Sequence, residues 1–192
     1  MHPFRAFIQE YTPLSDSDWE AIAACIRLRK AVPGELLLEE GQVCRSLYFL
    51  ESGLLRFFVW KEGVDVTKFF TEAPYTLTST QSFNSEQPAR ESIEVLEESL
   101  LWEMSFEDAH LLLERRAWST FVRKLVQEVQ GYLEEILEEL QTQTAENRYL
   151  QMTERNPGLL QRVSLKHLAS YLGIAPQSLS RIRKNIMPGA RT

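Results

Sequence analysis

The stretch that most constrains the fold is LKHLASYLGIAPQSLSRIRK, residues Leu165–Lys184, in which two short apolar periods meet at a glycine. Ser164 can cap a first helix, and Gly173 follows that helix where a sharp turn needs a residue that tolerates a positive φ. Pro176 can begin a second helix, because its φ is already helical and no intrahelical N–H is lost there. The positions predicted to face inward are Leu165, Leu168, Ala169, Leu172, Ile174, Leu179, Ile182 and Ile186. This spacing predicts a helix–turn–helix whose helices cross closely at the small Ala169.

The second helix of this pair carries a polar face that is unusually rich in Gln, Ser and Arg. Gln is suited to the adenine edge and Arg to the guanine edge in the major groove of DNA. The candidates for base contacts are Gln177, Ser180, Arg181 and Lys184. Phosphate contacts position a protein on DNA without specifying sequence, and the candidates for them are Ser178, Arg183 and Lys166. The alternatives are an ordinary solvated face and a helical hairpin that packs without DNA.

The charge of the chain is divided unevenly along its length. The whole chain has 21 Lys/Arg and 27 Asp/Glu residues, for a net charge of −6. Residues Thr142–Thr192 hold eight of the basic and two of the acidic residues (net +6), which leaves 13 basic and 25 acidic residues elsewhere (net −12). Such polarity is typical of two modules with different partners, and the basic module is suited to phosphates.

Composition excludes several classes of protein. The apolar share of 44% and charged share of 25% are those of an ordinary soluble domain, and no apolar run approaches the roughly 20 residues of a membrane helix. The N-terminus lacks the features of a secretory signal, so a cytoplasmic protein is expected. Two cysteines, Cys25 and Cys44, are too few for a disulfide framework or an iron–sulfur cluster. The three histidines, His2, His110 and His167, are too scattered for a metal or haem site.

Short strands punctuated by turns are predicted from Glu35 to about Met104. The runs GELLLEEG, SLYFLESG and LLRFFVW are rich in branched and aromatic residues and are closed by Gly41, Gly53 and Gly63. Regularly spaced short strands favour a barrel or roll over a parallel sheet. In SIEVLEESLLWEM the residues expected to face inward are Ile93, Val95, Leu100 and Trp102. Before this region, a capped helix is predicted from Ser15 until Pro33-Gly34 ends it.

The longest helical pattern runs from Ala117 to about Thr142. Its apolar residues follow a nearly heptad stripe, which Phe121, Leu133 and Leu137 widen. The helix would be about 38 Å long, longer than a small roll can cover, so a second copy of the same helix is the preferred partner. The alternative is packing within one chain. The predicted dimer interface is Val122, Leu125, Val129, Tyr132, Ile136 and Leu140.

Over almost its whole length, the chain resembles the Crp/Fnr family of regulators. The resemblance rests on LLLEEGQVCRSLYFLESGLLRFF, on TAENRYLQMTERNPGLLQRVSLKHLASYLGI and on APQSLSRIRK. It implies an α+β fold with an N-terminal antiparallel, jelly-roll-like β-roll of the cyclic-nucleotide-binding type in 1–116. It further implies a long dimerisation helix in 117–143 and a helix–turn–helix domain in 144–192. Family members read bases with recognition-helix residues at the positions of Gln177 and Arg181.

The region that would bind an effector departs from the family pattern. Nucleotide-binding members carry a Gly-Glu pair before a short helix and an Arg followed by small residues. Here Glu72 follows a threonine, and Arg90 precedes Glu91, an acid that would repel a phosphate. Glu72 and Arg90 are kept as effector-binding candidates, but no cofactor is required, and an effector other than a cyclic nucleotide, or none, is expected. The family's β-hairpin wing after the recognition helix is expected to be absent or reduced, because only IMPGART follows.

The function predicted from the sequence is that of a homodimeric transcription regulator that reads a pseudo-palindromic site in double-stranded DNA. If it is an activator, RNA polymerase is a further expected partner, and no membrane partner is expected. The alternative is a module that binds a cyclic nucleotide or another small ligand and whose C-terminal helices contact protein instead of DNA. An enzyme is not expected, because residues Glu35–Met104 contain no histidine and no nucleophile–base pair is evident in the sequence.

Overall fold

Two four-stranded antiparallel sheets form the roll in this computed structural model, which describes residues 1–186. One sheet has the strand order β1-β8-β3-β6 and the other the order β2-β7-β4-β5. The strands are β1 (Ile26–Ala31), β2 (Leu36–Leu38), β3 (Ser46–Ser52), β4 (Leu54–Lys61), β5 (Val64–Glu72), β6 (Tyr75–Leu77), β7 (Ser92–Val95) and β8 (Ser99–Ser105).

Two helices precede the strands of the roll, one lies between β6 and β7, and the others follow β8. They are α1 (Pro3–Tyr11), α2 (Asp16–Cys25), α3 (Thr80–Ser85), α4 (Phe106–Leu111), a short 3-10 turn (Leu112–Glu114), α5 (Arg116–Thr142), α6 (Ala145–Arg155), α7 (Pro157–Arg162), α8 (Leu165–Leu172) and α9 (Pro176–Ile186). We call residues 144–186, which contain α6 to α9, the head. The α+β class, the antiparallel roll, the long helix and the C-terminal helices confirm the predicted fold class.

An aromatic cluster attaches the first helix and the long helix to the roll. Phe4 of α1 stacks on Phe49 of β3 with a ring-centroid distance of 4.6 Å. Trp118 and Phe121 of α5 are fully buried in the same core, and Phe121 packs edge-on against Phe7. Aromatic rings bury a large apolar area each, so this cluster fixes the start of α5. Helix α1 was not predicted from the sequence.

The predicted helix through Arg29 to Pro33 is wrong beyond Cys25. Residues Ile26–Ala31 form β1, which pairs antiparallel with β8 from Ile26 opposite Met104 to Ala31 opposite Ser99. Ladder hydrogen bonds to β8 and burial of both strand ends outweigh the local helical pattern, because β structure depends strongly on tertiary pairing. In β8 the fully buried apolar side chains are Leu101 and Met104, whereas Leu100 and Trp102 are half-buried.

Two sequence expectations concern segments outside these elements. The expected absence or reduction of a wing after α9 falls on residues 187–192, which lie outside the described residues. Within residues 1–186, the structure has no helix that is both long enough and apolar enough to span a bilayer.

The turn between β3 and β4 requires a glycine at position 53. Gly53 has a φ of +117°, and a Cβ atom built there would lie 2.0 Å from Ser99 Oγ and 2.9 Å from Ser99 Cα. Gly63 has a φ of +80°, but a Cβ atom there meets no heavy atom of the described chain within 4 Å. Substitution of Gly63 therefore introduces backbone strain alone, whereas substitution of Gly53 introduces backbone strain and steric overlap together.

Gly63→Ala should cost about 1 kcal/mol of unfolding free energy, since only the left-handed backbone penalises it. Gly53→Ala should cost about 2 kcal/mol more, because β8 must also move away from the new methyl group. Urea unfolding of both variants measures the difference. Equal losses would show that the backbone of Ser99 does not restrict position 53.

Candidate nucleic-acid interface

The turn between α8 and α9 has the geometry that the sequence predicts. The Ser164 side chain accepts a hydrogen bond from the backbone N–H of His167 and caps α8. Gly173 follows α8 in the left-handed region with a φ of +72°, and the N–H of Ile174 donates to the Ala169 carbonyl at 3.0 Å. This closes the end of α8 tightly and directs α9 across it.

The inward residues of the helix–turn–helix form their own apolar core. The side chains of Leu168, Ala169, Leu172 and Leu179 are at most 1% exposed. The partly buried side chains packed against them include Leu165, Ile174, Ile182 and Ile186. The inward set predicted from the sequence is confirmed, and the absence of side-chain bulk at Ala169 allows the helices to cross closely.

The opposite face of α9 is polar and exposed. Gln177, Arg181 and Lys184 are exposed and lie within about 60° of one another around the helix axis, at 100° per residue. They extend along about 10 Å of the helix. Leu179 lies on the other side and is fully buried. The geometry places a glutamine and two cations in one row, which is the arrangement that major-groove contacts need.

The residues assigned to phosphate contacts have more varied surroundings. Ser178 and the base-contact candidate Ser180 are half-buried. The Arg183 guanidinium lies over the Tyr149 ring, with its central carbon 5.8 Å from the ring centroid. The Lys166 Nζ atom lies 2.6 Å from Asp65 Oδ1 of β5. Lys166 and Arg183 therefore contact their own chain, while Gln177 and Arg181 point outward.

The first helix of the pair is docked on the roll. Leu54 is fully buried, but it belongs to the apolar cluster of the head, and Phe70 and Leu96 pack against the same cluster. The rings of Phe70 and Tyr171 are 5.4 Å apart. Roll and head thus share apolar contacts across the outer surface of β4 and β5.

A buried charge cluster lies beside this apolar contact. Arg56 of β4 is 4% exposed and forms ion pairs with Asp65 at 2.7 Å and Glu94 at 2.5 Å. Burial raises the pKa of Asp65, but contacts with Lys166 and Arg56 outweigh it and hold that pKa below its ordinary value. Burial, and then the Arg56 charge, lower the pKa of His167. Asp65 is therefore ionised and His167 neutral near neutral pH.

The backbone of β5 also bonds directly to α8. The N–H of Thr67 donates to the Ser170 hydroxyl oxygen at 2.7 Å, and the Thr67 hydroxyl accepts from Arg56 at 3.1 Å. We call the contacts of Arg56, Asp65, Thr67 and Glu94 with Lys166 and Ser170 the charged seam.

A second polar contact joins α7 to the other end of the sheet. The Arg162 guanidinium pairs with Glu72 at 2.6 Å and with Glu97 at 2.5 Å, and it donates to the Gly53 carbonyl at 3.1 Å. Asn156 also donates to the Glu72 carboxylate. Glu72 is thus a docking residue of the head.

The structure does not bring Glu72 and Arg90 together as an effector clamp. Glu72 pairs with Leu54 at one end of β4, whereas Arg90 precedes Ser92, which pairs with Phe58. The pairing positions Leu54 and Phe58 are four residues apart on β4, which is about 13 Å at about 3.3 Å per residue. Arg90 is exposed. Strand register, which the sequence does not reveal, separates the two residues, and their assignment to an effector stays a prediction.

Comparison with known proteins identifies the architecture. A family model, the cyclic nucleotide-binding domain, matches residues 28–116. A protein of Eubacterium rectale described as a transcriptional regulator of the crp/fnr family superimposes with a TM-score of 0.75 at 14% identity, covering 93% of this chain and 88% of its own. The c-di-GMP responsive global regulator CLP of Xanthomonas campestris gives 0.68 at 16% identity, covering 93% and 96%. A cyclic nucleotide-binding domain containing protein of Listeria monocytogenes gives 0.69 at 14% identity, covering 97% and 91%.

The chain has the Crp/Fnr fold. The resemblance found in the sequence is confirmed at the level of the fold. Because the identities are below 20%, the similarity shows the fold alone. A search by sequence against curated proteins gives no match.

Within this Crp/Fnr fold, an acidic side chain lies at the start of the short helix α3. The Ser79 hydroxyl, at the N-cap position of α3, donates to Glu91 Oε1 at 2.9 Å, and Lys68 pairs with the same carboxylate. The Glu91 side chain is only 13% exposed. Nearby, the rings of Phe57 and Phe69 stack at 4.3 Å. A carboxylate of the protein itself thus interacts with polar groups that could otherwise face an anion.

The exposed apolar face of the long helix overlaps only in part with the one predicted for dimerisation, which shares Tyr132 and Leu140 with it. Val122 and Leu125 pack against the core of the roll, and Tyr132 and Ile136 line a cavity beside the head. The exposed large apolar residues of α5 are Val126, Tyr132, Leu133, Leu137 and Leu140. At 100° per residue, the centre of the exposed face lies about 50° from the centre of the predicted stripe, because one edge of that stripe is used within the chain.

The docking residues on β4 were missed in the sequence, although a signal was present. Leu54–Phe58 is a run of five buried residues, without the alternation of a strand that has one solvated face. Leu55 and Phe57 face the core of the roll, while Leu54 and Arg56 face the head. A strand with both faces covered gives such a continuous run.

The roll side and the head side of the charged seam should contribute unequally to the free energy of unfolding. Asp65→Ala should lower the free energy of unfolding by about 3 kcal/mol, since it leaves the buried Arg56 with one counter-ion fewer. Lys166→Met should cost about 1 kcal/mol or less, because the Lys166 side chain is 65% exposed.

Urea unfolding of both variants measures how much each residue of the charged seam contributes to the free energy of unfolding. Lys184→Met is the matched control, because it removes another exposed cation from the head, away from the seam, and it should be near neutral. Similar small losses for all three variants would contradict the account of Asp65 as a buried counter-ion.

Proposed function

We propose that the chain is a homodimeric transcription regulator that binds double-stranded DNA in a sequence-specific manner through α9. The observation that carries this proposal is the exposed row of Gln177, Arg181 and Lys184 on the second helix of a well-formed helix–turn–helix. Gln177 and Arg181 are the residues suited to base edges, and Lys184 supplies positive charge at the far end of the row. Residues 1–116 would be the sensor, 117–143 the dimerisation helix and 144–192 the DNA-binding domain, which contains the head.

Two copies of the head would be needed to read one site. A two-fold axis turns a single recognition helix into a pair, and the pair requires half-sites about 34 Å apart, one turn of DNA. The two α9 helices would then enter successive major grooves on the same side of the duplex.

The exposed apolar residues of α5 support this dimer. Val126, Leu133, Leu137 and Leu140 are between 49% and 55% exposed and are spaced 7, 4 and 3 residues apart. Such spacing is that of a coiled-coil seam, in which an identical helix would bury these side chains. An exposed row of this size is otherwise a liability for a soluble protein.

The effector of this regulator is proposed to be something other than a cyclic nucleotide. Glu91 brings a negative charge to the start of α3, where it interacts with Ser79 and Lys68. A cyclic phosphate there would meet that carboxylate at close range in a partly buried site, which is unfavourable. A shift of the head relative to the roll would be the regulated motion, and RNA polymerase would be the partner if the protein activates transcription.

The recognition face is tested by removing its central cation. Arg181→Ala should lower affinity for a selected site by about 5- to 150-fold, since a good base contact contributes about 1–3 kcal/mol, while affinity for random DNA falls much less. Quantitative footprinting on the selected site and a scrambled one measures both.

Arg123→Ala is the matched control, because it removes an exposed arginine of α5 that lies outside the head. It should leave the footprint unchanged. An Arg181→Ala footprint equal to that of the unchanged protein would refute the assignment of this face.

The dimer face is tested by adding a charge. Leu133→Glu should convert the dimer to monomers in sedimentation equilibrium, because two carboxylates would be buried in the seam without partners. Gln127→Glu adds the same charge on the polar side of α5 and should leave the dimer intact. A dimer that persists in Leu133→Glu would place the interface elsewhere.

A further inference from the structure

A cavity of about 220 Å³ opens where the long helix, the head and the roll meet. Tyr132 and Ile136 of α5 form one wall, Arg148 and Met152 of α6 form another, and Tyr171 of α8 closes the end. A smaller space of about 40 Å³ adjoins it and shares Ile136, Arg148, Met152 and Tyr171 as lining residues. The volume is below the roughly 300–1,000 Å³ of sites for drug-sized ligands, so it suits a smaller molecule.

Two polar atoms near this cavity are buried and unsatisfied. Arg148 Nε and Gln151 Oε1 have no hydrogen-bond partner within residues 1–186, and both residues line the cavity. The other end of the Arg148 guanidinium donates to the Leu172 carbonyl at 2.6 Å, which holds the group in place. Buried polar atoms without partners are costly, and in a cavity they are the groups that a ligand would satisfy.

Among the charged residues of the cavity, Arg148 is the cation that could pair with an anionic group of a ligand. Glu139 is paired with Arg155 at 3.0 Å, and Glu135 lies at the exposed rim. Arg148 has no carboxylate within ion-pair distance among the described residues. An anionic group on a ligand would therefore meet an arginine whose position is already fixed.

The other walls are apolar and aromatic. Tyr132 is 47% exposed, and the burial of the rest of its side chain, followed by interaction with the Tyr171 phenol, raises its pKa; burial also raises the pKa of Tyr171. Both phenols are neutral at physiological pH and present flat rings beside Ile136 and Met152. A planar molecule can pack against such rings.

We propose that this cavity binds a small aromatic acid that carries a hydrogen-bond donor. Its carboxylate would accept from Arg148 Nε, its ring would pack between Tyr132 and Met152, and its donor would reach Gln151 Oε1. Because α5, α6 and α8 all line the cavity, a bound acid would favour one position of the head over others. Binding itself is independent of the proposed DNA function, whereas an effect on DNA affinity depends on it.

The test uses the full chain labelled with ¹³C at its methionine methyl groups. Met152 lines the cavity, and Met104, which is 1% exposed in the roll, serves as the internal reference. Titration with 4-hydroxybenzoate at millimolar concentration should shift the Met152 resonance and leave Met104 in place. The neutral 4-hydroxybenzamide should bind at least tenfold more weakly, because it lacks the charge-assisted bond to Arg148.

Two variants keep this test decisive. Ile136→Trp fills the cavity and should abolish the Met152 shift. Arg148→Gln should reduce affinity for the acid about tenfold and leave affinity for the amide unchanged. Sedimentation and urea unfolding of both variants establish that they fold, and if Arg148→Gln does not, Ile136→Trp and the acid–amide comparison still decide the matter.

The outcomes separate this proposal from the proposed function. No Met152 shift with the acid, a shift that survives in Ile136→Trp, or equal binding of acid and amide would each overturn the ligand site. A Met152 shift in a protein that binds no DNA would support the site and refute the DNA function. A Met152 shift with unchanged affinity for DNA would overturn the effect on the head.

Discussion

Leu54 is buried beneath the head and not within the roll, and the arrangement of the whole molecule depends on that contact. It belongs to the apolar cluster of the helix–turn–helix, where Phe70 and Leu96 also pack. The charged seam lies beyond one side of Leu54, and the Arg162 contacts with Glu72 and Glu97 lie on the other. An apolar contact supplies most of the free energy of such an interface, and the flanking polar pairs fix its register. Apolar and ionic contacts together thus dock the head on β4 and β5.

This docking also explains part of the division of charge along the chain. Of the eight basic residues after residue 141, Arg155, Arg162 and Lys166 pair with carboxylates of residues 1–141, and Arg148 donates to the carbonyl of Leu172. The acidic body and basic tail are thus partly complementary surfaces of one molecule. The case for DNA depends less on the count of charges than on the position of Arg181 and Lys184, which are exposed beside Gln177. In the proposed function, electrostatic attraction would bring DNA near, and that row would distinguish the bases.

The helix–turn–helix could be predicted residue by residue because its signals are local. Capping at Ser164, a left-handed turn at Gly173 and helical spacing of apolar residues are all encoded within twenty positions. The errors concern long-range contacts. Ile26–Ala31 became a strand because β8 was available to pair with it, and Glu72 became a docking residue because Arg162 reaches it across 90 positions. The sequence could have indicated the docking surface only through the non-alternating run at Leu54–Phe58.

The contacts of the long helix could also be predicted only in part from the sequence. Its apolar period predicts a helix with a wide face, but not how that face is divided between the chain and a partner. Val122 and Leu125 are used by the roll, and Tyr132 and Ile136 line the cavity beside the head. The residues left for a partner lie on the edge of the predicted stripe. This division places the cavity between the exposed apolar residues of α5 and the head.

The central claim is that α9 of two copies reads bases in duplex DNA. Selection of bound duplexes from a random pool tests it most directly, with no assumption about the site. The account predicts enrichment of an inverted repeat whose half-sites are centred one helical turn apart, about 34 Å. Enrichment of no sequence, or of a single unrepeated element, would contradict it.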